Sequence, residues 1–258
     1  MLHVVFTASF LFSAVSVVSG RQEAALEQVP AKTGPVIPAG TIIPIRLGSI
    51  SSEKNRKGDV LKARVMQDVS LRNGGKIHEG ATVIGHVLDV TRAVSGSQAS
   101  LTLKFDIVLQ HGESIPVTTN LRALASELEV RFAQIPTLSS GESEVFDWLP
   151  TVQVGGEAVY GFGGPVTNGD RVVGHAIKGG VLVNLTAKPG SKCRGAFQGN
   201  DALQSLWVFS SDACGAYGFP HLMVSHAGRT EPVGELVLTS SEGPVRIESG
   251  SGMLLRVH

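Results

Sequence analysis

Five side chains invite a reading as a chemical centre: His175, His221 and His226, with Asp170 and Asp212 as carboxylates nearby in the chain. Their spacing argues against it. Histidines that share a metal sit four apart on a helix or two apart on a strand. His221 and His226 in "HLMVSHAG" are five apart, which fits neither period. Asp170, His175 and Asp212 could complete a set only if folding gathered them, and the expectation is scattered histidines near loops. Serine chemistry fares no better. "GES" and "SGSG" lack the Gly-x-Ser-x-Gly elbow that strains a nucleophile between strand and helix, and no ordered Ser, His and Asp set accompanies them. The glycine runs "GFGG", "IKGG" and "NGG" lie between strand-like stretches, whereas a phosphate cradle opens a helix. Glu142 and Glu144 fall in a polar linker, where solvated charge is expected. Trp148, Trp207, Tyr160 and Tyr217 could line a sugar platform, but core packing accounts for them more simply. Asn184-Leu185-Thr186 is a glycosylation sequon, a tripeptide common by chance. The sequence therefore predicts no catalytic residue, no metal ligand and no cofactor, and leaves binding residues unassigned.

The elements that must position any site are mostly strands. Lys plus Arg and Asp plus Glu both number 22, so no basic excess marks a nucleic-acid partner. Gly reaches 31 while aromatics are only 5%, and Val, Ile and Thr recur in short runs. That is the vocabulary of strands and turns. The uncharged stretch Val4 to Gly20 ends at Arg21, with small residues at Ser19 and Gly20. It predicts a cleaved signal peptide over 1–20 in preference to a membrane anchor, because spanning takes about 20 apolar residues. Residues 21–35 read as a polar lead-in. In an exported chain the two cysteines, Cys193 and Cys214, predict one disulfide. Closing that loop would contribute about 3 kcal/mol.

Alternation and turn signals predict strands at Thr41–Leu47, Val60–Leu71, Ala81–Thr91 and Leu101–Leu109, with Gly85 as a bulge or a point of close packing. Turns at "RNGGK" and "QHGE" join them, and the spacing suggests a barrel. Pro38-Ala39-Gly40 and His78-Glu79-Gly80 are matching turns that each release a β-branched run. Leu121, Leu124, Leu128 and Phe132 recur every three or four residues, which predicts one amphipathic packing helix over Leu121–Gln134. "PTLSSGESE" marks a linker at 136–146. Beyond it, "DALQSL" reads as a helical turn. The last residues read as two hairpins built from Glu235–Thr239, Val245–Glu248 and Met253–Val257.

The order "IPAGTIIPIRL", "GDVLKARVMQDV", "GGKIHEGATVIGHVLDV", "LTLKFDIVLQHGESIPV" resembles the C-terminal β-barrel of TrbI-like conjugal-transfer proteins, outer-membrane core components of type IV secretion. The matching positions are Gly40, Thr41, Pro44, Ala63, Val65, Asp68, Val69, Gly80, Ile84, Gly85 and Gly112. The resemblance covers residues 36–120. It implies a structural barrel in a bacterial envelope and transfers no catalytic residue. The Pro-rich spacer and helical antenna of that family have no counterpart here.

The expected protein is mainly β: a small barrel at 36–135, a linker at 136–146, a second β-rich domain with one disulfide at 147–258, and one short helix between. Its expected role is non-catalytic, binding or scaffolding in the periplasm or at the outer membrane. Expected partners are envelope proteins or polymer, with oligomers allowed and nucleic acid excluded. The competing expectation is a secreted hydrolase acting on an envelope polymer, which needs His175, His221, His226 and Asp170 or Asp212 to converge in a cleft. Function is expected in loops such as 51–59 or in the chain after 147.

Overall fold

A computed structural model describes residues 36–94, 97–136, 150–187, 202–225 and 233–258. The predicted signal peptide, the lead-in, nearly all of the linker, Cys193, His226 and Trp148 lie outside the described residues. Among those described are twenty strands and one helix. β1 (Ile42–Leu47) and the short β2 (Ile50–Ser51) precede β3 (Val60–Val65). β4 (Val69–Ser70) and β5 (Lys76–Ile77) form a small hairpin before the long β6 (Thr82–Thr91) and β7 (Ala99–Gln110). β8 (Glu113–Pro116) and β9 (Thr119–Ala125) lead to the helix α1 (Glu127–Phe132). Next come β10 (Thr151–Val152), β11 (Ala158–Val159), β12 (Pro165–Asn168), β13 (Arg171–Ile177), β14 (Gly180–Val183) and β15 (Gln204–Ser205). The chain continues through β16 (Gly215–Tyr217), β17 (Leu222–Ser225), β18 (Leu236–Ser240), β19 (Arg246–Ile247) and β20 (Gly252–Val257).

The first sheet runs β16-β9-β20-β1-β3-β6-β7-β18-β17, with β8 added on β7. Every pair is antiparallel except β16 with β9. The end strands β16 and β17 approach each other, so the sheet is nearly closed, as barrel patterning predicts. The second sheet runs β10-β11-β12-β13-β14-β15.

The two sheets share a wall, and the sequence of that wall follows from it. β3 has one buried face and alternates strictly, with Leu61, Ala63 and Val65 inward. β1, β9 and β20 are covered on both faces; β1 and β20 are apolar but for Arg46, Arg256 and Gly252, while β9 also buries Thr119, Asn120 and Arg122. Ile43, Ile45, Met253 and Leu255 point into the barrel, while Ile42, Ala123, Ala125 and Leu254 pack against the second sheet.

Several expectations change at this level. Leu121–Ala125 belongs to β9; the helix begins only after Ser126, whose side chain accepts from the Glu129 N–H. Leu121 and Leu124 both face the barrel core although three apart, because a bulge opposite Leu254 and Leu255 skips Arg122 in the register. The bulge thus reproduces a helical spacing within a strand. On α1 the buried residue is Val130, and Leu128 and Phe132 are exposed. "DALQSL" contains β15 instead of a helical turn. The C-terminal strands sit where expected but pair with distant partners: β18 with β7 and β17, β19 with β2, and β20 with β1 and β9. The expected division at 136–146 is redrawn accordingly. Gly34–His258 forms one compact unit, in which residues 215–257 complete the first sheet and 151–205 build the second.

Two expectations hold at atomic detail. Gly40 and Gly80 have φ of 84° and 83° in turns closed by Thr41 N–H to Pro38 O and Ala81 N–H to His78 O. A type II turn needs that positive φ at its third position. Each glycine then donates its own N–H to a neighbouring strand, at Val257 O and Val65 O, both 2.8 Å. At Gly85 the β6–β7 register shifts, and a Cβ there would lie 2.3 Å from Lys104 O.

Candidate functional site

The described residues of the expected chemical set stay apart. His175 is exposed on β13 with Pro165 as its cross-strand neighbour. Asp170 lies in the turn before β13. Asp212 accepts from Ser210 Oγ at 2.8 Å. His221 lies before β17 with its Nδ1 3.5 Å from Glu242 Oε1. No three His, Cys, Asp or Glu gather as metal ligands among the described residues. The 51–59 loop is tied to itself. Ser51 N–H donates to Asn55 Oδ1 at 2.8 Å, and Asp59 accepts from Arg56 N–H and Asn55 Nδ2. Those hydrogen bonds, Arg56 N–H foremost, hold the Asp59 carboxyl below its ordinary range.

The aromatic platform is likewise divided: Tyr160 is exposed, Tyr217 partly buried and Trp207 buried. Asn184 is exposed, but Thr186 of its sequon shares a 2.8 Å hydrogen bond with Ser211. Cys193 lies outside the described residues, and Cys214 is not a free thiol.

Two buried polar networks, unforeseen in the sequence, tie the second sheet to the shared wall. In the first, Arg122 donates to Thr186 O at 3.1 Å and Ser211 O at 3.0 Å. Burial above all, with Arg256 adding repulsion, brings its guanidinium down to about 10. Glu157, also buried, accepts from Ser211 N–H at 2.8 Å, from the Ser211 hydroxyl, and from Asn168 Nδ2 at 3.2 Å. In the second, Trp207 holds a φ of 54°, rare outside glycine and asparagine. Its N–H reaches Gln67 Oε1 at 2.7 Å, its carbonyl accepts from Gln153 Nε2 at 3.2 Å, and Arg46 lies 5.0 Å over its ring. Neighbours on three sides fix a conformation that alone would be strained.

Gln153 connects this second network to the surface. Beside α1 a groove of about 410 Å³ is lined by α1 and the residues after it, and by β10 and its continuation through Val154. Phe132, Ile135 and Val152 are 59%, 52% and 40% exposed there. The Pro136–Thr151 bridge holds the two sides together. Ser126 caps α1 and so sets where Phe132 emerges. Gln153 lines the same groove, is 6% exposed, and its Oε1 has no hydrogen-bond partner among the described residues. In the sequence the groove is foreshadowed only by Leu128 and Phe132, two of the four apolar residues whose spacing predicts a packing face.

None of the protein-family models, curated proteins or solved structures compared with the chain matches it.

Proposed function

We propose that this chain is a non-catalytic, exported cell-envelope protein that binds or scaffolds, with a barrel that resembles that of the TrbI-like proteins. The observation that carries the reading is the groove beside α1: bulky apolar side chains left open to solvent around a buried acceptor without a partner among the described residues. Such a combination is satisfied by an occupant. The shared wall supports the scaffold role, because it joins two cores into one body on which a surface can be held fixed. Export through residues 1–20 and a Cys193–Cys214 bridge belong to the same proposal; two cysteines in the chain and no free thiol at Cys214 support the bridge.

The test places a photoreactive benzoyl-phenylalanine at Phe132, and separately at Phe162, which is 85% exposed and does not line the groove. Both proteins are irradiated in intact bacterial cells, and envelope fractions are analysed by non-reducing mass spectrometry. Adducts at position 132 but not 162, on a chain with Cys193 joined to Cys214, are expected. A reduced cytosolic protein without adducts at 132 overturns the reading. So does hydrolysis of purified envelope polymer by the protein.

A further inference from the structure

The groove beside α1 is built to accept. Gln153 Nε2 is committed to Trp207 O at 3.2 Å. That fixes the amide orientation, because the flipped form would set two carbonyl oxygens against each other. Oε1 is thereby presented as a buried acceptor without a partner among the described residues. The charged side chain on the lining is a carboxylate, Glu129, half-buried on α1. Gln153 Nε2, already committed, is the one donor among the lining side chains; Phe132, Ile135 and Val152 offer apolar surface alone. An occupant must bring bulk, a hydrogen-bond donor and a positive charge.

Resting on the binding role proposed above, we infer that the groove docks an extended segment of a partner protein that presents a large apolar side chain flanked by Lys or Arg. The apolar side chain lies between Phe132, Ile135 and Val152. A backbone or side-chain N–H of the segment meets Gln153 Oε1, and the cation meets Glu129. The volume, about 410 Å³, suits one or two side chains. A sugar would bring acceptors that need donors the lining side chains do not offer. An anionic lipid surface is disfavoured by the carboxylate at the rim.

The full chain is titrated, with NMR detection, against three capped peptides: GKLFKLG, GELFELG and GKGGKGG. The expected result is binding of the basic apolar peptide, with shifts at Ile135, Val152 and the Gln153 side-chain amide. The acidic peptide should bind about tenfold more weakly, and the glycine peptide should not bind. Phe132→Ser with Ile135→Ser changes only exposed positions, so the spectrum elsewhere stays intact while affinity falls about tenfold or more. Glu129→Gln should bring the basic and acidic peptides to within about twofold of each other. Equal binding of the two in the unmodified chain overturns the inference, as do shifts away from the groove. A concentration-dependent dimer abolished by the double Ser variant overturns it in favour of a second copy. If no peptide binds while position 132 still captures an envelope partner, the peptide chemistry fails and the binding role survives. If both fail, both readings fall.

Discussion

At the scale of single residues, the most informative side chains are the buried polar ones. Glu157 is 1% exposed and receives donors from Ser211 and Asn168 alone among the described hydrogen bonds. Arg122, on the opposite side of Ser211, donates to the carbonyl of that same residue. Ser211 is therefore clamped between an anion and a cation that do not bond each other directly in these contacts. Glu157→Gln keeps the shape but turns one acceptor into a donor facing a donor. It should cost about 1–3 kcal/mol in urea unfolding, whereas Glu53→Gln, in an exposed pair with Arg246, should cost less than about 1 kcal/mol. An equal effect at both positions would show that the clamp does not hold the second sheet in place. None of this was legible in the sequence. Arg122 sat within an apparent helix and Glu157 in a glycine-rich turn, and nothing in local pattern marks a charge that tertiary contacts will bury.

At the scale of elements, strands with one covered face were legible, and of the three covered on both faces β1 and β20 were legible while β9 was not. β3 shows its alternation plainly, and Gly85 in β6 reads as a bulge or a point of close packing, both of which are found there. The geometry there gives a sharp expectation. A Cβ at Gly85 would meet Lys104 O at 2.3 Å and the Phe105 ring at 2.6 Å. Gly85→Ala must therefore push β6 from β7 at the bulge, and should destabilise the chain by about 1–3 kcal/mol. Gly112→Ala provides the contrast: a Cβ there meets nothing within 4 Å, although its φ of 80° carries strain of its own. Thermal melts of both variants, with amide exchange along β6 and β7, separate the two causes, since only the Gly85 variant should loosen the β6–β7 ladder. β9 was misread for a physical reason. Its contacts on both faces removed the alternation, and the bulge at Arg122 set Leu121 and Leu124 three apart. The true helix, α1, is a single short run whose apolar residues at 128 and 132 look outward. Periodicity reports which side chains share a face; it does not report what that face meets.

At the scale of the whole molecule, sequence order and spatial order diverge at the C-terminus. β20, the last strand, lies between β9 and β1, and β18 lies against β7. The first sheet therefore needs strands more than a hundred residues from its start. Local turn signals favoured hairpins there, because adjacency in sequence is the only pairing a local reading can see. This topology makes a prediction about the unit of folding. Residues 36–135 expressed alone keep β1 and β9 but leave both without the strand between them, and expose the apolar faces of Ile42, Ala123 and Ala125 as well. They should show no cooperative thermal transition and poor amide dispersion. Residues 36–258 should unfold in one transition, because the shared wall belongs to both cores and neither can lose it separately. A folded 36–135 fragment would mean that β20 seals a barrel already formed. Its absence would mean that the barrel and the second sheet fold as one, and that the groove between α1 and β10 exists only in the complete body.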